Sequence, residues 1–421
     1  MQKLRTGLLI VIFILGFSNS ARDKMEPSKP KNPIESIEAL QFDKSESKFG
    51  SYSFLVDRKN LIYMTLSKGG EYIDLNYREN VPIKFLLFDT QKGKYSFLKI
   101  DFKKIMKFFP EEFANRKNLF YLSLIRYVPG DDTIVLSVQQ SYQDVAFKKE
   151  SYFLFRWNLT EEKPFGSRIK FEYPEKNIYT PIGLDPEATE FYFFNIATQK
   201  IRFFSMDLKN WKLKSDFEFD REAGKRAEAM NIYHFSSLDS KYFFFAEYEE
   251  IVNVPVKGYI VDLERNLVKT IPIQRTCYGA AFSSDNQYLY MGSNQTGIIQ
   301  KYEMKSQKVI QTAKSHPGIH KILYQPKGEL FVFASNASRH PGLEVFSAAT
   351  LKKKYETNIV AWIETYEKDF FHPESVIFNQ DFSEMYYEYT PQENKIRTKT
   401  GGLTVKEDNL LHVLKFKFQT E

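Results

Sequence analysis

Apolar residues fall along this chain in short bursts. Runs rich in Phe, Tyr, Ile and Val alternate with clusters of Asp, Asn, Ser, Pro and Gly from about residue 50 to the C-terminal end. Bursts of roughly 4–8 residues, many alternating apolar and polar with a period of two, predict antiparallel strands. One hairpin pattern recurs: an apolar strand, a turn, then an alternating aromatic strand. It reads FLVDRKNLIYMTL from Phe54, YVPGDDTIVLSV from Tyr127, GLDPEATEFYFFN from Gly183 and FSSLDSKYFFFA from Phe235. It continues as FSSDNQYLYMGS from Phe282, YQPKGELFVFAS from Tyr324 and FNQDFSEMYYEY from Phe378. Asp and Asn stand where the chain must reverse because their side chains bond their own backbone, and Gly accepts positive φ.

A third strand follows each of the first six hairpins and ends in an apolar–polar pair: Phe88–Asp89, Trp157–Asn158, Met206–Asp207, Val261–Asp262, Tyr302–Glu303, Phe346–Ser347. A fourth follows, as in KYSFLKID, WKLKSDFEF, NLVKTIPI and KVIQTAK. Four strands repeated in this way predict an all-β, seven-bladed β-propeller of four-stranded antiparallel blades. The last unit is short, with 376–378, 384–389 and 411–418, while IESIEALQFD (Ile34–Asp43) precedes the first blade without a blade of its own. This N-terminal strand is expected to close the last blade and cover its edge.

The stretch IPIQRTCYGAAFSSDNQYLYMGSNQTGIIQKYEMKSQKVIQTAKSHPG, residues 271–318, resembles a blade of the YVTN-type, lactonase-like propellers. It is also similar in pattern to WD-repeat blades, whose third strand FLFRWNLT near Trp157 echoes. The likeness covers roughly residues 271–359 and thins to bare pattern in the first three blades. It implies architecture more than activity, since such blades carry enzymes, scaffolds and receptors alike.

Composition narrows the functional classes. The 39 Phe and 26 Tyr suit pleated, half-buried surfaces. Lys3 and Arg5, the apolar run from Leu8 to Phe17, and Ser18 and Ser20 before Ala21 read as a signal peptide over 1–20. The apolar run is too short to span a bilayer, so no stable membrane insertion is expected. The Lys- and Pro-rich segment 21–33 reads as a flexible linker, and 34–421 as a single propeller domain. Export to the periplasm or outside of a bacterial envelope follows. The formal charge of +6, lowered by two on loss of Lys3 and Arg5, is too diffuse for nucleic acid. The single Cys277 rules out an internal disulfide framework.

Chemistry is sparse. The chain has no G-x-S-x-G elbow, C-x-x-C-H motif or glycine-rich phosphate loop, and no cofactor is expected. Four of its six histidines, His316, His320, His340 and His372, share one region. A metal site built from His316, His340 and His372 would need three imidazole nitrogens about 2 Å from one ion; turn-stabilising or solvent-facing histidines are the default. Long connections fall between blades (101–118, 220–230, 360–371) and in the middle hairpins (69–81, 139–150, 247–257), which propellers of this kind place on one face. The partner face is assigned to Phe102, Phe109, Arg339 and Trp362. Phe102 and Phe109 belong to FKKIMKFFPEEFANRK, an amphipathic segment with docking as one role and capping of its own blade as the other.

The expected function is therefore a monomeric, non-enzymatic binding or scaffold module for a protein, glycan or small-molecule ligand. The alternative is a lactonase-like hydrolase or isomerase drawing on Glu247, His234, Arg339, His340 or Arg275. Burial of His234 in an inner strand, and of Cys277 as a small apolar residue, is the expected place for each.

Overall fold

A computed structural model of the protein describes residues 34–43, 53–56, 61–65, 71–74, 83–89, 94–111, 119–128, 133–141, 151–172, 179–185, 189–196, 200–210, 212–220, 232–247, 256–274, 276–334, 342–359, 376–379, 382–389, 395–397, 403–405 and 410–418. The signal and linker segments lie outside these residues. The chain divides into two compact units, residues 49–275 and residues 1–48 with 276–421.

The unit 49–275 holds four sheets. Sheet B joins β2 (Ser53–Val56), β3 (Leu61–Thr65), β5 (Ile83–Asp89) and β6 (Lys94–Ile100). Between its second and third strands lies β4 (Glu71–Asp74), and after it comes α1 (Phe102–Phe108). Sheet C joins β7 (Leu119–Val128), β8 (Thr133–Ser141), β9 (Ser151–Asn158) and β10 (Lys163–Glu172), with β4 added alongside β7. Sheet D comprises β11 (Tyr179–Leu184), β12 (Glu190–Ile196), β13 (Lys200–Asp207) and β14 (Lys212–Asp220). Sheet E comprises β15 (Ile232–Ser236), β16 (Tyr242–Glu247), β17 (Lys257–Asp262) and β18 (Leu267–Pro272).

In the other unit, sheet F is β19 (Cys277–Phe282), β20 (Tyr288–Ser293), β21 (Ile298–Glu303) and β22 (Lys308–Lys314). Sheet G is β23 (Ile319–Gln325), β24 (Glu329–Ala334), β25 (Gly342–Ser347) and β26 (Lys353–Asn358). Sheet A runs β27 (Val376–Phe378), β28 (Glu384–Glu388), then β31 (Leu410–Phe418) and β1 (Ile34–Asp43). A ribbon of β29 (Lys395–Arg397) and β30 (Leu403–Val405) completes the unit. β1 lies antiparallel to β31, from Ile34↔Phe418 to Asp43↔Leu410.

The fold is an all-β propeller with four-stranded antiparallel blades. Seven four-stranded blades were expected; the described residues form six, and sheet C has five strands. The difference has a local cause. β4 falls in the insertion expected at 69–81, and it pairs with β7 from Glu71↔Leu122 to Asp74↔Leu119. It thereby covers backbone donors and acceptors that β7 would otherwise leave open at the sheet's edge.

The recurring turns have a common structure. Ser237 and Ser283 stand at the same point of their hairpins, and each hydroxyl accepts a backbone N–H five residues on, from Tyr242 and Tyr288, at 3.0 Å. Each also donates to an aspartate two residues on, at 2.7 Å to Asp239 and 2.6 Å to Asp285. Asn379 takes the same place in sheet A, accepting from Glu384 N at 2.9 Å. The apolar–polar pairs work at the far side of each blade. Their apolar members Trp157, Met206, Val261, Tyr302 and Phe346 are all buried. Among their polar partners, Asn158, Asp207 and Asp262 accept backbone N–H groups of the turns that follow.

Successive sheets pack face to face. Tyr192, Phe194 and Phe203 of sheet D meet Phe243, Phe245 and Tyr259 of sheet E. Leu330, Val332 and Phe346 of sheet G meet Tyr290 and Ile299 of sheet F, and Phe331, Phe333 and Val345 meet Phe378, Tyr387 and Phe416 of sheet A. Each such side chain contributes about 1.5–3 kcal/mol by leaving water. The core is therefore a series of aromatic layers between sheets, matching the Phe- and Tyr-rich composition.

Candidate functional site

The described residues gather charge most densely at one end of sheet G. There β25 and β26 pair Glu344 directly with Glu356, and directly paired residues project to one side of a sheet. A register shift between Val345 and Phe346 sets Phe346 opposite Lys353, where uninterrupted pairing would not. An added residue of this kind breaks the alternation of side chains. It lets Lys353 and Glu356, an odd number of positions apart, share a face. The Lys353 ammonium lies 2.5 Å from Glu344 Oε1 and 2.8 Å from Glu356 Oε2.

The connection from β22 to β23 supplies the rest. Ser315 is buried and its hydroxyl donates to Glu344 Oε2. His316 N donates to the same oxygen at 3.0 Å. The His316 ring places Nε2 3.9 Å from Glu344 Oε1 and 3.8 Å from Glu356 Oε2. Gly297 makes this approach possible. At φ +66° it sits against the connection, and a Cβ there would stand 2.6 Å from Ser315 O.

Glu344 is only 2% exposed, so its charge depends on these partners. Its Oε1 faces the Lys353 ammonium, a charge-assisted contact. Burial alone would lower the Lys353 pKa, but Glu344 and Glu356 outweigh it and raise it above the ordinary lysine value. The hydrogen bond from Lys353, aided by its charge and that of His316, holds the Glu356 carboxyl below its ordinary value. One donor atom each from His316, Glu344 and Glu356 lie within 4.8 Å of one another, close enough to converge on a cation.

Of the residues singled out from the sequence, His316 is thus placed in a charged cluster whose described members include Glu344 and Glu356. His340, His372, Arg339 and Trp362 lie outside the described residues, as does Arg275. His320 packs its ring against Tyr278, 5.2 Å between centroids, on the first strands of sheets G and F. Phe102 and Phe109 are 1% and 3% exposed. The helix α1 lies against β10, and Phe109 meets Phe155 edge-on at 5.5 Å. Asp101 caps the helix by accepting Lys103 N at 3.0 Å, and Lys104 Nζ donates to Glu162 O at 2.8 Å. Phe108, 45% exposed, is the aromatic residue this short helix turns outward.

Of the groups considered for catalysis, Glu247 and His234 are described, and both are engaged with neighbouring side chains. Glu247 is buried and accepts from Tyr259 OH at 2.9 Å. Burial pulls the His234 pKa down to about 4, leaving the imidazole neutral at neutral pH, and its ring meets Phe194 edge-on at 5.2 Å. Cys277 is buried and its thiol is pushed up to about 12 by loss of solvent, far from a reactive thiolate. Glu344, Glu356 and Lys353 were missed from the sequence. The only signal was a glutamate in a strand otherwise made of buried residues.

Among the described residues, no helix is long and apolar enough to cross a membrane. No family model matches the chain, and no curated protein does. Solved structures do. A chain of the mitotic checkpoint complex aligns over 97% of this chain and 99% of its own length, at 10% identity and a TM-score of 0.50. The β-propeller domain of Cps50 (Swd1) from Myceliophteria thermophila covers 69% of this chain and 95% of its own, at 12% identity and a TM-score of 0.41. Apo AztD from Citrobacter koseri covers 73% of this chain and 71% of its own, at 12% identity and a TM-score of 0.42. At such identity the first of these likenesses defines a fold, a β-propeller, and no activity.

Proposed function

We propose that the chain is an exported β-propeller acting as a non-enzymatic binding or scaffold module. It presents the connections at one end of its blades to a protein, glycan or small-molecule ligand. In this reading seven blades form a ring, sheet C counting as a blade with an added strand, and Ile34–Asp43 locks the last blade. Residues 1–20 direct export into a bacterial envelope, and 21–33 tether a monomeric domain.

The observation that carries the reading is the contrast between the two ends of a blade. At one end, β15 to β16, β19 to β20 and β27 to β28 are joined by tight turns closed by the same Ser or Asn acceptor. At the other end, the chain between Glu247 and Lys257, and from Asn358 to Val376, is long. Long connections on a rigid frame are where recognition is usually carried.

A photocrosslinking amino acid placed at Asn358, at the long-connection end, should yield adducts with envelope components. The same group at Leu238, in a tight turn and 58% exposed, should yield none. Adducts from position 238 alone would sink the assignment of the face. Turnover in a panel of lactones would favour the hydrolase instead. Unchanged fractionation after deletion of residues 1–20 would remove the export step.

A further inference from the structure

We propose that His316, Glu344 and Glu356 form a site for a divalent transition-metal ion, zinc being the ion their donors fit, and that the Lys353 ammonium is its built-in competitor. The inference stands apart from the binding-module reading, since it rests on sheet G and the connection that enters it from sheet F.

The donor set is one imidazole nitrogen and two carboxylate oxygens. Zinc takes such ligands at about 2.0–2.2 Å with tetrahedral angles, which puts neighbouring donors roughly 3.4 Å apart. His316 Nε2 is 3.9 and 3.8 Å from the two oxygens, so contraction by about half an ångström satisfies the two imidazole–carboxylate distances, and the two carboxylates must close in from a separation within 4.8 Å. Glu356, with a side chain 47% exposed, can supply the movement.

Glu344 is the anchor. Its Oε2 is held by Ser315 Oγ and His316 N, while Oε1 faces the cluster and the Lys353 ammonium. Such support of a ligand by surrounding donors orients it toward an ion. Three protein ligands leave a fourth position for water or a ligand atom, the open arrangement of a reactive rather than a closed structural zinc.

A cation already stands at this point. The Lys353 ammonium bridges the two carboxylates at 2.5 and 2.8 Å, so the site is shaped to hold positive charge. Its side chain is 37% exposed, and its flexible stem can swing into solvent when an ion enters. Zinc binding must therefore expel the ammonium, and removing the ammonium must tighten zinc binding. A cluster with only a structural role has no such property.

The test uses the full chain and zinc ion as the probe, with affinity and stoichiometry from titration calorimetry. Wild type should take up one zinc per chain. Lys353→Met should bind roughly tenfold tighter or better, because a partly buried ion pair no longer has to be broken. His316→Ala, at a partly exposed position, should bind at least about tenfold more weakly with an unchanged circular dichroism spectrum. Zinc should also protect His316 from diethylpyrocarbonate and make Lys353 more reactive toward an amine label, while magnesium does neither. The proposal is overturned by substoichiometric uptake, by K353M binding no tighter than wild type, or by zinc that leaves His316 modifiable.

Discussion

Sheets F and G are built on one plan and end differently. Their third and fourth strands share the same register shift, between Lys301 and Tyr302 in F and between Val345 and Phe346 in G. Counting from it, Gln300 opposite Thr312 in F corresponds to Glu344 opposite Glu356 in G, and Val309 corresponds to Lys353. In sequence, Ile273 and Gln274 precede β19 by the same count as Ser315 and His316 precede β23. One blade therefore carries a neutral end and the other a buried carboxylate with its own cation. The frame tolerates both because backbone pairing and aromatic layers hold it, and the polar ends are chosen residue by residue.

Removing the anchor of the charged end should have the largest effect. Glu344→Ala leaves the Ser315 hydroxyl and His316 N without their acceptor and the Lys353 ammonium with Glu356 alone, and should lower stability by about 3 kcal/mol through loss of hydrogen bonds to a charged group. Chemical denaturation measures it; a loss below about 1 kcal/mol would mean that solvent replaces the carboxylate freely. Next comes the shared frame. Gly279 brings β19 against β23, where an added Cβ would stand 2.9 Å from Ile322 N. Gly279→Ala should cost about 2–3 kcal/mol by overpacking, and an unchanged midpoint would show that these strands separate easily.

Transplanting the charge sharpens the comparison. Gln300→Glu introduces a carboxylate into sheet F without its cation and should cost about 1–2 kcal/mol. Adding Val309→Lys should restore at least half of that, and a second substitution that adds further destabilisation would break the equivalence of the two positions. At the tight-turn end, Ser283→Ala and Ser237→Ala should each cost about 1 kcal/mol through loss of the same acceptor. Unequal losses would show that the two turns differ in more than sequence.

The smallest effect is in acid. The folded pKa of Glu356 is lowered chiefly by the Lys353 hydrogen bond, so the unfolded chain takes up the proton more readily. Its contribution is complete above the ordinary glutamate value near 4.5 and is lost as pH falls through the lowered folded value. Asp285 in sheet F is lowered too, by Ser283. The measurement is therefore the difference between wild type and Glu356→Gln across that range, and parallel curves would remove Glu356 from the cluster.

Much of the frame is visible in the residues themselves. The Asp-, Ser- and Asn-based turns, the apolar–polar pairs at the ends of third strands and the Phe- and Tyr-rich strands all rest on contacts between near neighbours in the chain. Their periodicity survives reading in one dimension. Sheet C does not: Glu71–Asp74 reads as part of an insertion, and only its pairing with β7 makes it a strand. The helix at Phe102 was legible as amphipathic, but its apolar side, offered both to a partner and to its own blade, is claimed by β10.

What the sequence by itself determined is the repeating blade, because each turn and each alternating strand draws on interactions a few residues long. Only the tertiary structure decided the charged end of sheet G. Ser315 is 29 positions from Glu344, and the one-residue shift that turns Lys353 toward Glu356 reverses what strict alternation implies. Long-range contact and a broken period leave no mark that can be read along a chain.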